Sequence, residues 1–146
     1  MTPRPRAPGE FCWLHIITPH PADVSRVGAP SWFELLTTVM ATAQAFYDAL
    51  FGWTAESMPG QSVPYTIFKL GDRPVAGMME LTDEMEGVPP CWVTYFTVSD
   101  SDAAARDALR LGATVYIAVR EAAGIGRFCG IRSAQGVHFL VMQYVP

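Results

Sequence analysis

The sequence predicts an α+β fold built from two βαβββ modules. A strand, a helix and three further strands follow one another between residues 29 and 82, and the same order returns between residues 90 and 146. Each predicted helix ends at a glycine, Gly52 or Gly112, at corresponding positions of the two modules. An acidic stretch that contains prolines separates the modules. Residues 29–146 are therefore predicted to form one paired-module domain.

Module one, residues 29–82, begins with the β-forming run Ser31–Val39. In Ala41–Phe51 the apolar residues Phe46, Tyr47 and Leu50 recur at helical spacing, which predicts a helix. Three strands complete the module, with a hairpin turn at Gly71-Asp72 between the last two. These strands are predicted at Trp53–Met58, Tyr65–Leu70 and Pro74–Leu81.

Module two, residues 90–146, repeats this order from Cys91–Ser99 onward. A helix over Ser101–Leu111 follows that strand. The remaining strands are predicted near Thr114–Val119, Arg127–Ile131 and Val137–Val145.

Residues 1–28 are predicted to be an N-terminal extension. Within them the segment 13–18 (Trp-Leu-His-Ile-Ile-Thr) parallels 32–37 (Trp-Phe-Glu-Leu-Leu-Thr), which suggests an additional strand. Such a strand could pair with a sheet edge or exchange with a partner subunit. Chance similarity between two apolar strands that begin with tryptophan is the alternative.

The composition favours a globular protein with an apolar cavity or a buried dimer face. Half of the 146 residues are hydrophobic and only 16% are charged. We therefore expect a homodimer and a small-molecule site. The net charge is −4 and Lys69 is the only lysine, so nucleic acid is not expected as a partner.

The same composition bears on location and on the cysteines. The first ten residues are polar and rich in proline, and no run of 18 apolar residues occurs, so neither a signal peptide nor a membrane span is predicted. A cytoplasmic location is expected. Cys12, Cys91 and Cys129 are widely spaced and are predicted to be reduced thiols.

Eight short motifs follow one another along the chain: Trp32-x-Glu34-Leu35-x-Thr37, Ala45-Phe46-Tyr47, Leu50-Phe51-Gly52-Trp53, Pro74-Val75-Ala76-Gly77-Met78, Gly87-Val88-Pro89-Pro90, Trp92-x-x-Tyr95-Phe96-x-Val98-x-Asp100, Gly126-Arg127-Phe128 and Gln135-Gly136. Together they resemble one branch of the vicinal oxygen chelate superfamily, which includes glyoxalases, dioxygenases and bleomycin-resistance proteins. That branch contains the mycobacterial antigen-like proteins often labelled "hydroxylases". The resemblance runs from about Gly28 to the C-terminus, and it implies cupped mixed sheets.

The resemblance implies a metal site of four side chains, usually His and Glu, in the cup. Here the first-strand positions fall on Trp32 and Val93, and the last position of module two falls on Leu140, none of which can ligate an ion. The fourth falls near Ala76 or Met78. We therefore predict no metal and no cofactor.

An alternative metal site could be assembled from other residues of suitable type. Glu34, Glu80 and His138 each lie two residues from a usual ligand position, on the same strand face. With His15 they would supply four possible ligands.

The predicted cup lining is mostly aromatic, aliphatic and thioether surface, which suits a flat or apolar ligand. Any of its aromatic residues could instead pack in an ordinary core. The predicted ligand-binding residues are Trp32, Met78, Val93, Leu140, Met142 and Arg127, and the predicted catalytic residues are Glu34, Tyr95 and His138.

Glu34 and Arg127 each have two possible roles. A carboxylate on an apolar strand has a raised pKa, as a general acid or base requires, or it anchors the fold by accepting hydrogen bonds. Arg127 could bind an anionic ligand group, or it could form a surface ion pair.

The leading hypothesis is metal-independent binding of an apolar or aromatic natural product, for resistance or biosynthesis. The alternative is an isomerase or cyclase that uses Glu34 with Tyr95 or His138 for proton transfer. A metal-dependent lyase or dioxygenase is the least favoured, because of the ligand positions. The sequence leaves open whether the protein is an enzyme.

Overall fold

A computed structural model describes residues 24–61 and 63–146, which form eight strands, two α-helices and one 3-10 turn. Module one contains β1, α1, β2, β3 and β4; after the 3-10 turn at Asp83–Met85, module two contains β5, α2, β6, β7 and β8. Their bounds are β1 Pro30–Thr37, α1 Met40–Phe51, β2 Thr54–Met58, β3 Tyr65–Leu70, β4 Arg73–Glu80, β5 Cys91–Thr97, α2 Ser101–Arg110, β6 Thr114–Ala122, β7 Gly126–Arg132 and β8 His138–Tyr144.

All eight strands belong to one mixed sheet, in the order β2-β3-β4-β1-β5-β8-β7-β6. The two modules meet at the antiparallel pair β1 and β5, where Glu34 lies opposite Val93. Within each module the first strand also pairs in parallel with the last, β1 with β4 and β5 with β8. The first strands of both modules therefore lie at the centre of the sheet.

One face of the sheet encloses the cavity. Tyr65 on β3 and Phe128 on β7 pack against one apolar cluster, although four other strands lie between theirs. Strands in a flat sheet are spaced roughly 5 Å apart, so these residues can share a cluster only if the sheet curves strongly. The curvature produces the cup.

The opposite face carries both helices. Met40, Ala43 and Tyr47 of α1 pack with Leu35 and Met78. On module two, alanines of α2 pack against a separate cluster of Cys129, Ile131 and Val141. Because neighbouring residues of a strand point to opposite faces, Leu35 faces α1 while Glu34 and Leu36 face the cup.

The fold class predicted from the sequence is confirmed, and the observed strand and helix bounds differ from the predicted ones by a few residues. The predicted extra strand falls on residues 13–18, outside the described residues, and the division at residue 28 stays a prediction. Cys91 and Cys129 are free thiols. In the described ranges, no helix is long and apolar enough to cross a membrane. The homodimer and the cytoplasmic location stay predictions.

Candidate functional site

The cup holds an apolar cavity with a volume of about 420 Å³. This volume is in the range of small-molecule sites in proteins. Strands of both modules contribute to its wall, and so does the 3-10 turn between the modules. The main apolar residues of the wall are Met79, Met85, Ile117, Ile125, Phe128 and Met142.

A polar network around Glu34 forms the floor of the cavity. Glu34 lies at the middle of β1 and is fully buried. The hydroxyl of Tyr95, on the neighbouring strand β5, donates to both carboxylate oxygens at 3.0 and 3.1 Å. Tyr65 on β3 also hydrogen-bonds the carboxyl. The buried acid is therefore held by two tyrosines, both of which line the cavity.

The position of Tyr65 depends on Gly77. These residues lie on the adjacent strands β3 and β4, and Gly77 pairs in register with Glu34. A Cβ atom at position 77 would overlap with the Tyr65 hydroxyl and would stand 2.9 Å from Trp32 Nε1. The indole N–H of Trp32 donates to the Tyr65 hydroxyl at 2.9 Å. The missing side chain of Gly77 leaves the space in which the Tyr65 hydroxyl reaches Glu34.

The environment of Glu34 changes its acidity. Burial raises the pKa of the carboxyl from 4.5 to about 7, while the hydrogen bonds from Tyr65 and Tyr95 act in the opposite direction. Burial, with the nearby Glu34 charge as a smaller cause, raises the pKa of both tyrosine hydroxyls. Near neutral pH both tyrosines therefore stay protonated, while the Glu34 carboxyl can gain or lose its proton.

The rim of the cavity is charged and open to solvent. Arg120 on β6 donates to Glu84 of the 3-10 turn at 2.7 Å, and each of these side chains is more than a third exposed. Both residues line the cavity. The linker between the modules is thus joined to the far edge of the cup by a surface ion pair.

Three of the predicted site residues line the cavity: the ligand-binding candidates Trp32 and Met142 and the catalytic candidate Tyr95. Glu34 lies beneath them. Val93 and Leu140 face the same side of the sheet but are packed in the core under the cavity, outside its wall. The strand faces predicted for β1, β5 and β8 are therefore correct. The functional roles of these residues stay predictions.

The predicted placement of Met78 in the cup is wrong. Met78 points to the helix face and packs with Leu35 and Trp53, while the next residue, Met79, lines the cavity. The sequence offered no alternation at this point, because Val75–Met79 has no polar residue. A strand with this pattern can be assigned to either face, and a one-residue shift reverses all its side chains.

Neither His138 nor Arg127 lines the cavity. His138, at the start of β8, contacts the ring of Tyr116 and lines a separate, open depression. Arg127 donates to Asp102 of α2 at 2.8 Å and to Glu121 at 3.1 Å. Its neighbour Phe128 faces the cavity instead. Arg127 thus forms the ion pairs that one of its two interpretations predicted, and its role in ligand binding stays a prediction.

Sequence reasoning missed Tyr65, the residue that completes the floor. It lies on β3, which is two strands away from β1 in the sheet, so no spacing along the chain relates Tyr65 to Glu34. The motif that contains Gly77 carried an indirect signal. A glycine within a strand often marks a close approach by another group, here the Tyr65 hydroxyl.

The residues present do not fit the metal centre of the superfamily. Trp32 and Val93 carry no ligating atom, and the Glu34 carboxyl is enclosed by tyrosines. In the alternative set, Glu80 is exposed while Glu34 is fully buried, and His15 lies outside the described residues. Among residues 24–61 and 63–146, no three His, Cys, Asp or Glu side chains are grouped so that they could hold an ion.

Comparisons with known proteins agree with the motifs and the fold. A Mycobacterium tuberculosis protein, provisionally named glyoxylase CFP32, is 39% identical in an alignment of 126 residues that covers 84% of this chain and 47% of that protein. The anthracycline biosynthesis protein DnrV of Streptomyces peucetius is 30% identical over 128 residues, covering 78% of this chain and 46% of DnrV. This chain therefore spans about half the length of the curated relatives it matches.

The fold has relatives among solved structures. Methylmalonyl-CoA epimerase from Mycobacterium tuberculosis superimposes with a TM-score of 0.52 and 18% identity, over 82% of this chain and 89% of the epimerase. No protein-family model matches the sequence. The paired modules, the ordered motifs and these relatives have one explanation in common: the chain belongs to the vicinal oxygen chelate superfamily.

Proposed function

We propose that this protein binds an apolar, aromatic small molecule in the cup, using only its own side chains. The observation that carries the proposal is the cavity of about 420 Å³, whose wall is mostly apolar. Phe128 and Trp32 offer ring surface, and methionines such as Met79, Met85 and Met142 adapt to ligand shape. Burial of a flat ligand against this wall would supply most of the binding free energy.

Its relatives make a polycyclic natural product the favoured class of ligand. DnrV, 30% identical, is named for anthracycline biosynthesis, and anthracyclines contain fused rings. A ligand of that kind would suit a cavity with an apolar wall and polar groups confined to its floor and rim. A role in biosynthesis of, or resistance to, such a compound is the corresponding biological proposal.

Calorimetric titration of the purified chain with naphthalene and with an anthracycline aglycone tests this proposal. From typical ligand efficiencies we expect a dissociation constant of roughly 10 to 100 μM for naphthalene, with tighter binding of the larger aglycone. Ala122 lines the cavity, so the Ala122→Trp variant should fill it and weaken both affinities at least about tenfold.

The matched control is Ala118→Trp, which introduces the same side chain at an exposed position of the same strand. It should bind both probes as the parent does. Absence of saturable heat with either probe, or equal binding by the parent and the Ala122→Trp variant, would overturn the proposal.

Acid–base catalysis is a second candidate function, favoured by the raised pKa of Glu34, about 7. Such a group can both take and return a proton near neutral pH. Because Glu34 itself is fully buried, the proton would pass through the hydroxyl of Tyr65 or Tyr95, and His138 would take no part. An isomerase or cyclase acting on an enolisable aromatic ketone would use this chemistry.

Exchange of the α-protons of 1-tetralone in D₂O, followed by NMR, measures this activity. Catalysis predicts faster exchange with the parent protein and loss of the acceleration in Glu34→Gln, with 1-tetralone still bound. Exchange at the buffer rate in the presence of the parent would exclude this function and leave the binding proposal intact.

A further inference from the structure

We propose that Tyr65, Tyr95 and Glu34 form an oxygen-recognition site for a ring-bound hydroxyl or carbonyl group of the ligand, and that the proton on Glu34 selects between the two. This inference rests on the proposed binding function, because it requires an aromatic ligand in the cup. It goes further by identifying the polar substituent that the floor recognises.

The first step is a count of hydrogen-bond donors when Glu34 is ionised. The Tyr95 hydroxyl donates to the carboxylate, and Tyr65 hydrogen-bonds the same group while it accepts from the Trp32 indole. Each tyrosine has one O–H, and a carboxylate can only accept. Both tyrosine protons are then directed at Glu34, and the cavity meets only oxygen lone pairs. A phenolic hydroxyl, which donates, is the substituent that such a floor binds.

The second step is the same count when Glu34 carries a proton. The carboxylic acid now has one donor and one remaining acceptor oxygen. Suppose that the acid donates to one tyrosine oxygen and accepts from the other tyrosine. The O–H of the first tyrosine then has no acceptor left on Glu34. That O–H can turn to the cavity. The floor then offers a donor, which is what a carbonyl oxygen requires.

The groups around Glu34 allow its protonation state to determine whether the floor binds a hydroxyl or a carbonyl group. It is faced by Tyr95 from β5, Tyr65 from β3 and, farther away, Tyr116 from β6, while β4 presents Gly77. Tyr144 on β8 acts on Tyr65 through its charge, and its hydroxyl donates to Ser31. In the part of the chain that the structure describes, no charged side chain contributes to the raised pKa of Glu34. The carboxyl therefore titrates near neutral pH, while the surrounding tyrosines stay protonated.

Three probes with one ring system test the inference by calorimetry, at about pH 5.5 and about pH 8.5 on either side of the Glu34 pKa. Naphthalene has no oxygen, 2-naphthol donates, and 2-acetylnaphthalene only accepts. Between the lower and the higher pH we expect the affinity for 2-acetylnaphthalene to fall about tenfold, the size of one hydrogen bond to a polar group. Affinity for naphthalene should be constant, and that for 2-naphthol should change less than about threefold.

Single substitutions test whether Glu34 causes the pH dependence of ligand affinity. Glu34→Gln should make the ratio of 2-naphthol to 2-acetylnaphthalene affinity independent of pH, because an amide does not titrate in this range. Glu80→Gln is the matched control, since Glu80 is exposed and lies outside the cavity wall; it should keep the full pH dependence. If Glu34→Gln does not fold, Tyr65→Phe replaces it and should reduce the change in the ratio by at least half.

The outcomes separate the two proposals. Two results would overturn the oxygen-recognition site and leave the binding function standing. In the first, the parent binds naphthalene but its ratio of 2-naphthol to 2-acetylnaphthalene affinity does not depend on pH. In the second, the pH dependence of that ratio persists in Glu34→Gln. If none of the three probes binds, both the site and the binding function are wrong.

Discussion

The floor and the rim of the cavity each contain a carboxylate, and the two carboxylates differ in burial and in the groups that contact them. Glu34 at the floor is fully buried and is held by neutral tyrosines, whereas Glu84 at the rim is more than a third exposed and is paired with Arg120. Burial raises the pKa of the Glu34 carboxyl to about 7. Dehydration by burial is therefore what allows Glu34 to act as an acid or base near neutral pH.

The largest effect is expected from breaking the floor at Gly77. In Gly77→Ala the new methyl group overlaps with the Tyr65 hydroxyl and crowds Trp32, so the ring must leave Glu34. We expect a loss of about 3 kcal/mol in the free energy of unfolding, measured by urea denaturation. In a Tyr65→Ala background the same substitution should cost only about 1 kcal/mol. Equal costs in the two backgrounds would contradict the proposed role of Gly77.

The next effect is the dependence of stability on pH. The folded-state pKa of Glu34, about 7, lies above its ordinary value of 4.5, so the folded protein holds this proton more tightly than the unfolded chain does. Its contribution to stability is complete below pH 4.5 and is lost as the pH rises to 7. From about pH 5 to about pH 8 the free energy of unfolding should therefore fall by about 2 kcal/mol from this group. Glu34→Gln should remove this fall, and Glu84→Gln should retain it.

The smallest effect is expected at the rim. Glu84→Gln removes an exposed ion pair with Arg120, and such pairs contribute less than about 1 kcal/mol. Thermal denaturation in low salt should reveal a slight destabilisation of the variant, and about 1 M salt should abolish the difference by screening. If Glu84→Gln destabilised the protein as much as Gly77→Ala, the rim and the floor would contribute equally to stability, and the contrast between them would be wrong.

Local sequence patterns were sufficient for most of the fold. Strands and helices of both modules follow from short runs of β-forming residues, helical spacing and glycine stops, because these preferences act over a few residues. Alternation also assigned the cup face correctly for Trp32 on β1, Tyr95 on β5 and Met142 on β8. It failed on β4, where apolar residues occupy both faces. There the pairing of Gly77 with Glu34, and of Met78 with Leu35, determines which methionine enters the cup.

The sequence by itself determined the paired βαβββ architecture, its superfamily and the presence of an acid on the central strand. Only the tertiary structure decided what that acid contacts. Tyr65, Tyr95 and Gly77 come from three different strands, and their meeting at Glu34 depends on sheet order and curvature. Hydrogen bonds and dehydration act over a few ångströms in space, whatever the separation along the chain. The chemistry of the floor therefore arises where the two modules join.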